Sequence, residues 1–153
     1  MRTYFLLIVT LCSMLPSVLF GAEDCKSGLE ESAPKPAVTL VEVVVLVVKR
    51  GDRYLFIKRG AGSNGDAGVW APVTGKIEAG ETQETAVSRE AKEELGMPVV
   101  ATQKLMDHVS ASGKLRLNWW VAEIVEGFEP VILSEREVSE FGWLTIDEIE
   151  AYE

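Results

Sequence analysis

Glu90, Glu93 and Glu94 lie in the stretch GKIEAGETQETAVSREAKEELGM, Gly75 to Met97, where acids crowd more densely than a surface helix requires. At about 100° per residue, a helix would throw these three side chains into a roughly 100° arc. Like charges on one arc repel each other and weaken an isolated helix. A solvated acidic face is the ordinary outcome of such a run. The other outcome is a cation lodged among the carboxylates, which turns the repulsion into binding. All-oxygen donors suit a hard ion, Mg²⁺ or Mn²⁺ rather than zinc. Glu81 adds a fourth carboxylate ahead of the helix, and Arg89 is interleaved with the acids. Val87, Ala91 and Leu95, at i, i+4 and i+8, form an adjacent apolar stripe able to pack on a sheet.

The full spacing favours the cation. Gly75, Glu81, Arg89, Glu90, Glu93, Glu94 and Gly96 satisfy Gly-x5-Glu-x7-Arg-Glu-U-x-Glu-Glu-x-Gly-U, where U is a bulky apolar residue. With each residue type at about 6–7% of average usage, a chance match anywhere in the chain is on the order of 10⁻⁶ or less. The stretch resembles the signature of the Nudix hydrolase family; Ala91 is small for the first U position, and Met97 suits the second. The likeness runs over residues 38–153: a hairpin ending in Lys58-Arg59, then Trp70, a Gly-Lys lead-in, and Phe141-Gly142-Trp143-Leu144 before a last helix.

That resemblance implies an α/β fold, an α/β/α sandwich around a mixed sheet with a loop–helix–loop motif whose helix spans residues 82–95. It implies hydrolysis of a nucleoside diphosphate linked to another moiety, dependent on Mg²⁺ or Mn²⁺. Glu90, Glu93 and Glu94 would hold the metal, with Glu81 behind them or holding a water on the ion. The cation's work would be to bridge phosphate oxygens and offset charge in the transition state. Arg89 would orient a glutamate of the motif by a charge-assisted hydrogen bond. Gly75 would let backbone approach the site, and Gly96 would end the helix. Glu137, in an acidic loop with Glu135 and Glu140, is the candidate general base outside the motif.

Substrate choice is less legible. The usual Pro-Gly-Gly-Lys lead-in of the family stands here as Val73-Thr74-Gly75-Lys76, with Pro72 one place early. This is similar to a branch that includes dihydroneopterin triphosphate and deoxynucleoside triphosphate pyrophosphohydrolases. The favoured reaction is therefore a nucleoside triphosphate cut to monophosphate and pyrophosphate. An ADP-sugar or dinucleoside polyphosphate hydrolase, or a non-catalytic binding module, is the alternative. Arg59 and Lys76 are candidate phosphate contacts. Trp119 and Trp120 alternate faces in a strand, so at most one can line a pocket, and Trp119 is the candidate base platform. His108 reads as a strand or loop residue rather than a catalyst, since no partner motif accompanies it.

The elements that must position these groups follow from patterning. Residues 38–48 form a β-branched, nearly all-apolar run, expected to be a strand covered on both faces. Arg50 to Arg53 supplies a tight turn, and Tyr54 to Lys58 returns as a second strand. Residues 60–68, GAGSNGDAG, read as a loop, and Val69 to Thr74 as one short apolar run. Val99 to Val109, Leu115 to Val125 and Phe141 to Leu144 are further strands, and Thr145 to Glu148 is a capping box opening a final helix.

Across 153 residues the formal charge is −9, with 24 acidic against 15 basic residues and 47% hydrophobic. The balance disfavours a nucleic-acid polymer as partner, since phosphate neutralisation needs cations. It admits a small nucleotide held through a divalent ion. Residues 1–22 resemble a secretory signal peptide, with Arg2, an apolar run and Gly21-Ala22 at a poorly formed cut site. Residues 23–37 read as a flexible linker before the domain at 38–153. The expectation is a secreted or periplasmic protein without membrane attachment after cleavage; an uncleaved anchor or a misassigned cytoplasmic start is the alternative. Cys12 and Cys25 are too few for a disulfide framework. The oligomeric state leaves no trace in the sequence.

Overall fold

The computed structural model describes residues 39–62 and 67–152. The leader-like segment, the linker and both cysteines lie outside these residues. Within them no helix is long and apolar enough to cross a membrane.

The long apolar run forms β1 (Val41–Arg50), whose residues Val43 to Val48 are all buried. A two-residue turn at Gly51-Asp52 leads into β2 (Arg53–Arg59). The two strands pair only at Lys49↔Tyr54 and Arg50↔Arg53 and then part company. Beyond that point β1 pairs antiparallel with β4 (Thr74–Lys76) and parallel with β6 (Leu115–Ile124). β6 pairs with β5 (Val99–Val109), while β2 pairs with β3 (Trp70–Ala71) and β7 (Val138–Leu144). The seven strands make one mixed sheet along β3-β2-β1-β6-β5, with β4 and β7 off that path.

The run from Val69 to Thr74, expected as one element, is divided between β3 and β4, which pair with different strands. Pro72, which has no N–H to give a ladder, stands at the break. Val73 beside it is buried, and its carbonyl accepts from Leu46 N–H at 2.9 Å.

Helix α1 (Gln83–Leu95) begins at Thr82, whose hydroxyl accepts from Thr85 N–H. It ends at Gly96 in the left-handed region, φ 57°, where Gly96 and Met97 N–H reach the Lys92 and Ala91 carbonyls. Its stripe of Val87, Ala91 and Leu95 is fully buried and packs with Val44, Leu46, Val48, Trp120 and Ala122 of β1 and β6. That assembly is the core. A short helix α2 (Ile146–Ala151) closes the described chain, opened by the expected capping box of Thr145 and Glu148.

Candidate active site

Next to the apolar stripe of α1 runs a second one that is also buried, and it is acidic. Glu90 and Glu94 are both buried, whereas the Glu93 side chain is 58% exposed. The expected arc of three acids is thus split: two face inward and one meets solvent. An acidic face turned toward the interior is not the solvated face that a charge run usually makes.

Room for Glu90 comes from Gly75 on β4. A Cβ there would fall inside the Glu90 carboxyl group, so this position excludes any side chain for reasons of space, not backbone conformation. The close approach expected at Gly75 is realised by a helix side chain lying against the strand.

Arg89 organises the acids. Its Nε and Nη2 grip both oxygens of Glu81 at 2.9 and 3.0 Å, and Nη1 donates to Glu90 at 2.8 Å and Glu93 at 3.1 Å. The remaining Nη2 proton goes to the Lys76 carbonyl at 2.8 Å. Every N–H of the guanidinium is used. Hydrogen bonds from Arg89, then from the Glu78 N–H, hold the Glu81 carboxyl below its ordinary pKa. Glu81 in turn leads the acids that raise the Arg89 pKa.

Glu94 is the contrasting member. Its Oε2 is buried with no hydrogen-bond partner among the described residues. Burial, then the charges of Glu90 and Glu137, push its carboxyl up to about 8, and Arg59 opposes the shift. Burial likewise raises Glu90, against the pull of Arg89. These influences place Glu90, Glu93, Glu137 and Arg59 within electrostatic reach of Glu94.

The segment between β6 and β7 brings Glu137 there. Its Val131 and Leu133 N–H groups cap the Leu95 and Glu94 carbonyls at 2.8 and 2.9 Å, serving acceptors that the end of α1 leaves open. The chain then turns at Ser134, whose carbonyl takes the N–H of Glu137 and Val138 and whose hydroxyl donates to Glu137. Gly60 and Gly62 N–H bond the Glu137 and Arg136 carbonyls, both at 2.7 Å, so the end of β2 is strapped to this loop. Arg59, at that end, has a buried Nε without a hydrogen-bond partner among the described residues. Glu140 lies on β7 against Lys58 at 3.5 Å, which separates it from Glu137.

Of the expected substrate residues, Lys76 adjoins the acids through its carbonyl, which accepts from Arg89, and Trp119 lies apart from them. The Lys76 side chain is exposed at the end of β4. Trp119 is 4% exposed and stacks on His108 with ring centroids 6.2 Å apart. Its neighbour Trp120 packs with α1, so Trp119 occupies the opposite face of the sheet.

Among the described residues no three His, Cys, Asp or Glu side chains already form a finished metal cage. Glu90 and Glu93 each commit an oxygen to Arg89. The donor chemistry nevertheless fits a hard divalent cation: two buried carboxylates, one with an unpartnered oxygen, and a third exposed one beside them. Sequence reasoning missed the strap from Gly60 and Gly62 to Arg136 and Glu137, because backbone hydrogen bonds between distant loops carry no residue-type signal.

A NUDIX domain model matches residues 38–153. The chain is 34% identical over 83 residues to the CTP pyrophosphohydrolase of Escherichia coli (strain K12), covering 53% of this chain and 61% of that protein. It is 26% identical over 136 residues to the NAD-capped RNA hydrolase NudC of Citrobacter koseri, covering 89% of this chain and 49% of that protein. The chain therefore spans about three fifths of the first relative's length and about half of the second's. Among solved structures, the MutT NUDIX hydrolase from Burkholderia pseudomallei aligns with a TM-score of 0.56 at 26% identity, covering 72% of this chain and 86% of that one. The matched span, the shared fold and the seven motif positions agree, and the chain belongs to the Nudix family.

Proposed function

We propose that this protein is a Mg²⁺- or Mn²⁺-dependent pyrophosphohydrolase that cuts a nucleoside triphosphate to the monophosphate and pyrophosphate. One observation carries the reading: the buried Glu94 Oε2 has no hydrogen-bond partner among the described residues, and the charges of Glu90, Glu137 and Arg59 act on its carboxyl. A buried carboxylate left so is costly unless a cation completes it. Glu90, Glu93 and Glu94 would hold that cation, which when bound supplies charge stabilisation to the phosphates and lowers the pKa of water. Arg89 keeps Glu90 and Glu93 aligned, and Glu81 fixes Arg89. The unpartnered Arg59 Nε is a donor for a phosphate oxygen. Glu137, presented on the strapped loop, takes the proton of the attacking water.

The triphosphate is favoured by the Val73-Thr74-Gly75 lead-in and by the 34% identity to a CTP pyrophosphohydrolase. The apolar leader supports action outside the cytoplasm.

The test is a panel of nucleoside triphosphates, ADP-sugars and dinucleoside polyphosphates with Mg²⁺ or Mn²⁺, assayed for phosphate with and without added pyrophosphatase. Phosphate that appears only when pyrophosphatase is added, from a triphosphate, is the expected result. Glu94→Gln should lower turnover by about a thousandfold or more while the protein still unfolds cooperatively. Wild-type turnover in that variant would remove Glu94 from the site.

A further inference from the structure

Gln83 occupies a position that the family spacing leaves open, yet both ends of its side-chain amide are engaged. Trp120 Nε1 donates to Gln83 Oε1 at 3.0 Å, and Gln83 Nε2 donates to Asn118 Oδ1 at 3.0 Å. Asn118 Nδ2 then donates to Glu42 Oε2 at 2.9 Å and to the Val43 carbonyl at 3.3 Å. Asn118 is only 1% exposed.

The polarity of this chain is fixed from both ends. An indole N–H can only donate, and an ionised carboxylate can only accept. Flipping either amide would set donor against donor or acceptor against acceptor, and at Asn118 it would do so in a buried position. The first residue of α1 is thereby tied directionally to β6 and, through Asn118, to β1.

Helical geometry gives that tie its consequence. Glu90 is seven residues beyond Gln83 and Glu94 eleven beyond, so at 100° per residue each lies within about 20° of the line through Gln83. Gln83 heads the same stripe that carries the two buried carboxylates. The apolar contacts of Ala86, Val87, Ala91 and Leu95 are non-directional and tolerate a small roll of the helix. Ser88 Oγ, bonded to the Val99 carbonyl at 3.0 Å, and Arg89 Nη2, bonded to the Lys76 carbonyl at 2.8 Å, are further directional ties, but both lie off this line.

We propose that Gln83 and Asn118 are positioning residues: the chain Trp120–Gln83–Asn118–Glu42 sets the roll of α1 and so aims the carboxylates of Glu90 and Glu94. The proposal rests on the pyrophosphohydrolase reading for its effect on turnover, but not for its effect on the carboxylates themselves.

The experiment uses Gln83→Leu, Trp120→Phe and the double variant, the second deleting the indole donor while keeping an aromatic ring at the position. At saturating Mg²⁺ and substrate, each single variant should lose about 10- to 100-fold in kcat with KM little changed. The double variant should be no slower than Gln83→Leu, because one chain is cut twice. Ile149→Ala, a buried truncation on α2, calibrates what lost stability alone does to kcat. In the metal-free protein, Gln83→Leu should also shift the ¹³C carboxyl resonances of Glu90 and Glu94. Unshifted resonances overturn the proposal whether or not the enzyme turns over. So does a kcat equal to wild type, or a fall that Ile149→Ala reproduces at equal loss of melting temperature. A wild-type protein inactive on every substrate, with the resonances shifted, defeats the pyrophosphohydrolase reading and leaves the positioning intact.

Discussion

Glu90 and Glu94 behave unlike ordinary helix acids because of what lies opposite them. Gly75 offers no side chain, so the Glu90 carboxyl can lie against the strand, and Arg89 holds one of its oxygens at 2.8 Å. Gly75→Ala should push that carboxyl out of place without demanding a new backbone conformation, since the alanine methyl would occupy its volume. Turnover should fall by about a hundredfold, the loss expected when a reacting constellation moves by roughly an ångström. Steady-state kinetics across a Mg²⁺ titration would check it; unchanged kcat and unchanged half-saturation would show that Glu90 does not need its present place. Glu81 illustrates the opposite arrangement, with both oxygens gripped by Arg89 and one also taken by Glu78 N–H.

Helix α1 and the segment that follows β6 act together. The helix leaves its last carbonyls open, and Val131 and Leu133 supply the N–H groups that close them, so the end of α1 is the anchor of the Glu137 loop. Gly96 is the joint. It sits at φ 57°, and a Cβ there would meet the Leu133 side chain at 3.2 Å. Gly96→Ala should cost about 1–2 kcal/mol from the left-handed backbone alone. It should also slow turnover beyond the effect of stability, by loosening Leu133 and with it Glu137. Urea unfolding paired with kcat measurements at a temperature where both proteins are folded would separate the two losses. Stability equal to wild type would mean that the helix ends some other way.

Two carboxylates are buried among the described residues, and this makes stability depend on pH in a direction opposite to that of most acidic side chains. In the absence of a cation the Glu94 carboxyl sits at about 8 when folded, against an ordinary value of 4.5. The folded protein then keeps a proton that the unfolded chain releases. Stability from this group is complete below the unfolded value and is lost as pH rises through the folded one. In EDTA the melting temperature should fall between about pH 5 and pH 8, with Glu90 shifting in the same direction. Glu94→Gln should flatten that slope, and added Mg²⁺ should raise the melting temperature most at the alkaline end, because it binds the ionised form. A melting temperature indifferent to both pH and Mg²⁺ would place Glu94 outside a cation site.

The sequence by itself determined the family, the helix from Thr82 to Gly96, the β1–β2 turn and the cap of α2, because each is encoded by neighbours in the chain: a fixed spacing, a period of 3.6, a turn dipeptide, a capping pair. It also set which residue types were available for chemistry. Only the tertiary structure decided which acids face inward. Glu93 and Glu94 are adjacent in sequence, yet one is exposed and the other buried, and the Glu94 carbonyl takes its N–H from Leu133, in a loop more than thirty residues downstream. The split of the Val69–Thr74 run, the placement of Trp119 across the sheet from α1 and the amide chain through Gln83 arise in the same way. They depend on partners far apart along the chain, and burial and hydrogen-bond satisfaction are settled only when those partners meet.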